Sequence, residues 1–268
     1  MKRRRVAGAE RAVLVSGWLV VALTLTFLIA PVVLSILGSF AQAWHRQLLG
    51  DFTLDWYRYV FKHYAPMIEL SLRIAACAVL LNVLIGVPAA YALLRLRSRV
   101  VAWFEETIML PMAVPGVAVA IALIQTHAFM RGDWYLILAG HVMFTLPFMV
   151  KTVVATMRST DLITLEEGAS SLGANFRQRF MYVVVPNVAQ AIVAGALMVF
   201  TISLGEFNLT LFLITPLNST LPVGLYDTYA SMRIEVGSAF TTIFFCLLMP
   251  ILLLVQYLGA RGQRIINV

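Results

Sequence analysis

Charge is the scarcest property of this chain. Asp, Glu, Lys and Arg make up 12% of its 268 residues, against 61% hydrophobic. Soluble domains carry roughly 25% charged residues, so the balance excludes a soluble globular protein and indicates an integral membrane protein. Cysteine is almost missing too. Cys77 and Cys246 both fall within apolar runs and have no metal-ligand spacing, so they are read as packing residues. No G-x-x-x-x-G-K-[ST] stretch is present, so nucleotide phosphates cannot be cradled in a P-loop of this chain. G-x-S-x-G, H-E-x-x-H and C-x-x-C are absent as well, which leaves no foothold for an intramembrane enzyme. No catalytic residue, metal site or cofactor of its own is expected. Nor is there an inverted internal repeat of the kind secondary transporters often show.

What charge there is has a pattern. The formal net charge is +7. Lys2, Arg3, Arg4, Arg5 and Arg11 precede the first apolar run, and Arg95, Arg97 and Arg99 follow the second. Arg158, Arg177 and Arg179 lie in a central loop, and Arg261 and Arg264 close the chain. The alternate loops hold only Arg46, Arg58, Lys62, Arg131 and Arg233. This is the positive-inside asymmetry of a membrane protein with both termini and the central loop in the cytoplasm, and not a nucleic-acid footprint. The first apolar run, residues 12–40, is too long for a signal-peptide core, so it is read as a retained helix.

Six spans are expected, at about 13–40, 67–94, 101–125, 136–157, 187–214 and 238–258, which makes an all-α membrane protein of one domain over residues 1–268. The even count agrees with both ends lying on one side. Residues 52–61 read as a separate amphipathic helix outside the membrane, capped by Thr53. Glu69 and Arg73 are four apart and can pair on one face of the second span. The third holds Pro111, Pro115 and Gly116, and prolines there free backbone carbonyls that neighbouring helices or water must satisfy.

Between the fourth and fifth spans, in a loop over about residues 158–186, lies TLEEGASSLGANFRQRFMYVVVP, residues 164–186. Thr164 with Glu167 reads as a capping box opening a helix over 165–172. Gly173 suits a left-handed closing position. Asn175 with Gln178 repeats the cap and opens a second helix, carrying Arg177 and Arg179 towards Pro186. The expectation is a helix, a glycine turn and a second helix.

This stretch resembles the loop of ABC importer permeases, whose motif is E-A-A-x3-G-x9-I-x-L-P. The E-A-A falls on Glu167, Gly168 and Ala169, the glycine on Gly173, and the I-x-L-P on Val183, Val184, Val185 and Pro186. Gly168 replaces the first alanine and valines replace the Ile and Leu, while the spacing is kept. A stretch around Phe52–Phe61 is similar to the same family. The resemblance implies a type I importer permease fold and a bacterial inner-membrane location. It implies that Glu167, Gly168, Ala169, Gly173 and Pro186 belong to a coupling helix received by an ATP-hydrolysing subunit. It further implies two such ATPase subunits, which would bind the ATP and Mg, a second permease that is a similar but distinct chain, an external substrate-binding protein, and surrounding lipid. The runs Gly205-Glu206-Phe207-Asn208 and Thr220–Tyr226 look most like the branch for polyamines and 2-aminoethylphosphonate, with small-oxyanion and ferric-ion permeases as neighbours.

Polar groups at membrane depth are costly and mark candidates for the pathway or gate. Glu206, Asn208, His141 and Asn82 are these candidates. Glu206 reads equally as a pathway residue or as half of a structural pair, with His141 a possible partner. His141 reads as a hydrogen-bonded structural residue, since the nearest histidine, His127, is fourteen residues away. Asn82 and Thr145 also read as interhelical glue. The competing function is a secondary transporter or channel working without an ATPase.

Overall fold

The computed structural model describes residues 2–43, 51–95, 103–104 and 106–266. Regular structure among the described residues is helical, apart from one isolated antiparallel bridge between Ala41 and Phe52. The helices are α1 (Lys2–Gly38), α2 (Asp55–Arg95), α3 (Leu110–Ala113), α4 (Gly116–Thr126), α5 (Trp134–Ser159), α6 (Leu162–Ser171), α7 (Phe176–Arg179), α8 (Val185–Gly205), α9 (Asn208–Leu213), α10 (Leu221–Ala230) and α11 (Ile234–Ile266).

Among the described residues, five helical stretches are long and apolar enough to cross a membrane: Leu14–Gly38, Asp55–Arg95, Trp134–Ser159, Phe176–Gly205 and Ile234–Leu254. Three boundaries differ from the sequence reading. The amphipathic segment at 52–61 is not a separate helix. It is the first part of the 41-residue α2, which runs through Pro66 and Pro88, with the Thr53 hydroxyl accepting from the Asp55 N–H at 3.1 Å. The fifth span begins at Phe176 instead of 187, because α7, a π-turn over Phe180–Val184 and α8 follow without a break. It ends at Gly205, and Glu206 and Phe207 separate it from α9. Where the third span is expected, α3 and α4 are divided at Val114, which is extended (φ −84°, ψ 132°). Pro115 disfavours the helical conformation for the residue before it. Arg97, Arg99 and the first residues of that expected span lie outside the described residues.

Contacts divide the chain into two units, Met1–Lys62 with Thr228–Phe244, and His63–Asp227 with Phe245–Val268. In the first, α1 exposes apolar side chains such as Leu14, Trp18, Leu23 and Phe27, a surface suited to lipid or to another apolar chain. The chain after α1 is pinned by aromatic contacts. The Phe40 and Phe52 rings stack at 4.9 Å, and the Trp56 indole donates to the Ala41 carbonyl at 2.9 Å.

In the second unit α5 is central. Its most extensive partner is α8. Met149 sits where both neighbours carry glycine: a Cβ added at Gly86 of α2 would lie 2.7 Å from Met149 Cγ, and one at Gly195 of α8 would lie 2.9 Å from its Sδ. Small residues at these two positions let three helices close on one side chain. Ile74, Leu136, Ile137, Val153 and Val199 complete the buried core around it. Elsewhere in this unit α9 packs on α4, with the Leu209 backbone nitrogen only 3.2 Å from an ideal Cβ at Gly116.

Candidate functional site

Two groups of polar residues stand out in the second unit: the loop between α5 and α8, and the break between α8 and α9.

The loop starts with a sharp turn. Asp161 adopts a left-handed conformation (φ 43°), so α6 begins at Leu162, earlier than the sequence suggested. Thr164 therefore falls inside the first turn, and the capping box expected from Thr164 and Glu167 is not formed; no side chain caps this end. The end of α6 is as anticipated. Gly173 has φ +85°, its N–H donates to the Ser170 carbonyl at 2.9 Å, and the Ala174 N–H donates to the Ala169 carbonyl at 3.1 Å. These two bonds make the Schellman closure that a glycine at this position permits. Asn175 then forms the expected capping box, accepting from the Gln178 N–H while the Gln178 side chain accepts from the Asn175 N–H, both at 2.9 Å. Pro186 does not stop the helix. It sits exposed in the first turn of α8, where a missing N–H costs least, and the π-turn precedes it.

The two faces of α6 differ in kind. Leu162 and Glu166, four apart, are each 1% exposed. Leu165, Glu167 and Gly168 are exposed, and so are Leu172 and Phe176 beyond the helix; Ala169 is half-buried. Successive helical residues diverge by about 100°, so of two adjacent glutamates one points into the protein and the other out. Glu166 is the inward one. The Tyr91 hydroxyl donates to its Oε1 at 2.7 Å, Arg95 pairs with its Oε2, and Arg179 Nε lies 3.8 Å from Oε1. Sequence reasoning passed over Glu166 and counted Arg95 and Arg179 only as topology signals. The i, i+4, i+7 row Leu162, Glu166, Ala169 was the available sign that this carboxylate lies on the packed face.

At the second group, His141 of α5 joins the two sides of the helix break. Its ring nitrogens lie 2.7 Å from Ser203 Oγ of α8 and 2.8 Å from Thr210 Oγ1 of α9. The network continues: the Thr145 hydroxyl donates to the His141 carbonyl, and Asn82 Nδ2 donates to Thr145 Oγ1 at 2.9 Å. His141 and Asn82 are buried within it. Glu206 does not pair with His141. It is half-buried in the break, where its carboxylate accepts from the Leu209 N–H at 2.8 Å. Asn208, the first residue of α9, is exposed. Among the described residues no cluster of His, Cys, Asp and Glu has the makings of a metal site.

The model of the family "Binding-protein-dependent transport system inner membrane component" matches residues 82–264, which include both groups. A protein of Salmonella paratyphi A named as a 2-aminoethylphosphonate transport system permease, PhnV, is 26% identical over 255 residues, covering 93% of this chain and 96% of that protein. The putrescine transport system permease PotI of Escherichia coli is 29% identical over 266 residues, covering 93% of each. Among solved structures, a bacterial ABC transporter that imports the acidic polysaccharide alginate superposes with a TM-score of 0.72 over 98% of this chain and 99% of that one, at 15% identity. A structure of the bacterial alginate transporter in complex with an alginate-bound periplasmic protein gives the same TM-score over 96% of each chain.

Proposed function

Since this chain belongs to the binding-protein-dependent transport system inner membrane components, we propose that it carries 2-aminoethylphosphonate or a polyamine, delivered by an external binding protein, across a bacterial inner membrane. It is a multi-pass membrane protein and a permease subunit of an ATP-driven importer. That membership removes the competing reading of a secondary transporter or channel. It also places the chain among transport subunits, which are not enzymes. The named substrates of PhnV and PotI support the choice of solute.

In this reading six spans put both termini and the α5–α8 loop in the cytoplasm. Two ATPase subunits bind ATP and Mg, and a second, similar permease stands beside this one. The observation that carries the coupling role is the outward face of α6. Glu167 offers an exposed carboxylate next to exposed Leu165 and Gly168, and the Schellman closure at Gly173 fixes the direction in which they point. A mixed apolar and charged face on a rigid helix is what a partner groove can grip. Ala169, half-buried, accepts one of the two closing bonds, and Pro186 lies at the start of α8, where the loop returns to the membrane. At the α8–α9 break, Glu206 and Asn208 have accessible side chains and line the pathway, while His141 and Asn82 brace the break behind them. Non-helical backbone is tolerated in a membrane where it lines a cavity.

The test is uptake into proteoliposomes holding this chain with its companion permease, ATPase subunits and binding protein. Labelled 2-aminoethylphosphonate and putrescine are supplied separately. Accumulation of one of them, only with ATP on the loop side, is expected. Accumulation of neither would refute the solute class, and accumulation without ATP would refute the mechanism.

A further inference from the structure

The buried partner of the exposed glutamate has a role of its own. α6 is joined to its neighbours by two short turns, one at Thr160–Asp161 and one at Leu172–Asn175. Its polar connection to the rest of the unit converges on Glu166. That carboxylate is 1% exposed, and three groups from two other elements meet on it. Tyr91 and Arg95 come from the last turns of α2, and Arg179 from the end of α7, where the chain enters the π-turn that leads into α8. Two of the three are themselves packed together. Arg95 lies over the Tyr91 ring at 5.6 Å, and that ring meets Phe180 edge-on at 5.4 Å and Phe176 at 6.1 Å. α6 therefore cannot rotate or slide without parting one carboxylate from Arg95 of α2 or from Arg179 of α7.

We propose that Glu166 is the positioning residue of the coupling loop: by holding Arg95 and Arg179 at once, it passes a displacement of the outward face of α6 to two membrane helices together. The proposal rests on the permease reading above. The chemistry favours a carboxylate here. Two guanidiniums on separate elements repel each other, and only an acceptor-only group between them turns that repulsion into a clamp. Breaking a buried ion pair by removing one member leaves the remaining charges uncompensated, so the joint gives way at this point first. Glu167, one residue on, faces away and takes no part in the clamp. One glutamate grips the partner and the other grips the protein.

The experiment is a double-mutant cycle on the reconstituted complex, reading solute taken up per ATP hydrolysed. The ATPase subunits must first co-purify with the wild-type chain; if they do not, the permease reading fails and not the clamp. With that control met, Glu166→Gln and Arg95→Gln are each expected to keep the ATPase subunits bound while lowering uptake per ATP by about tenfold, and the double variant is expected to be no worse than Glu166→Gln alone, because that change already removes the pair with Arg95. Glu166→Asp is expected to recover part of the loss. Three results would overturn the proposal: wild-type uptake per ATP in Glu166→Gln, loss of the ATPase from it, or a double variant whose defect is the product of the two single ones. Should Glu166→Gln fail to reach the membrane, Arg95→Gln carries the test alone. Its side chain is 34% exposed, so its replacement disturbs packing least, and wild-type coupling there would refute the clamp.

Discussion

Gly173 and Gly168 lie five residues apart in the same loop, and replacing each with alanine should have opposite effects. At Gly173 an added Cβ meets nothing within 4 Å, so sterics with neighbours are not the issue; the cost arises from φ +85° alone. Holding an L-residue in the left-handed region costs about 1–2 kcal/mol. That strain bears on the two bonds closing α6, Gly173 N–H to Ser170 and Ala174 N–H to Ala169. At Gly168, inside α6, an added Cβ also meets nothing within 4 Å, and φ is not positive. There alanine should stabilise the helix by up to ~1 kcal/mol. Amide hydrogen exchange of the complex reads both effects locally. For a 1 kcal/mol change in local opening, exchange at Ala169 to Ala174 should be about fivefold faster in Gly173→Ala and correspondingly slower in Gly168→Ala. Uptake should fall in Gly173→Ala, because α6 then points its outer face in more than one direction. If Gly173→Ala leaves exchange unchanged, or if both variants move it the same way, the account of the loop as a closed, aimed helix is wrong.

Cysteine placed at Ser170 should react with an impermeant reagent only from the cytoplasmic side, and one at Asn218 only from outside; reaction of both from one side would refute the six-span arrangement. Gly86→Ala should destabilise the protein by about 1–3 kcal/mol, since its Cβ would lie 2.7 Å from Met149 Cγ. In a Met149→Ala background, where that Cγ is gone, Gly86→Ala should cost less stability than it does in the wild type, and an equal cost in both would mean that the strain lies elsewhere. Glu206→Gln keeps an oxygen able to accept from the Leu209 N–H, so complex yield should hold while uptake falls several-fold. A complex that falls apart would make Glu206 structural.

The long apolar helices were legible in the sequence because each carries its own hydropathy and loop-charge signals, and so was the turn at Gly173, where the signal is one residue type in one conformation. The ends of the elements were harder to read. Thr53 suggested a separate short helix, yet α2 continues through Pro66, because tertiary packing outweighs a local break signal. Thr164 and Glu167 have the spacing of a capping box, but Asp161 starts α6 first, and a cap pattern cannot report the conformation of a residue three positions earlier. The break at Glu206 has no proline to announce it. The preceding Gly205 ends α8, and only the structure shows His141 binding both sides. Glu166 was missed for a related reason. Its partners lie at Tyr91 and Arg95, and no periodicity within the loop connects residues so far apart in sequence.

The central claim is that ATP hydrolysed elsewhere drives this chain through the outward face of α6. ATP-dependent solute uptake by proteoliposomes of the complete complex, measured for wild type and Glu167→Ala side by side, tests it most directly. The account predicts uptake by wild type only when ATPase subunits and ATP are present, and a fall of roughly tenfold in Glu167→Ala with its yield in the membrane unchanged. Wild-type uptake by Glu167→Ala, or uptake by wild type without the ATPase subunits, would contradict it.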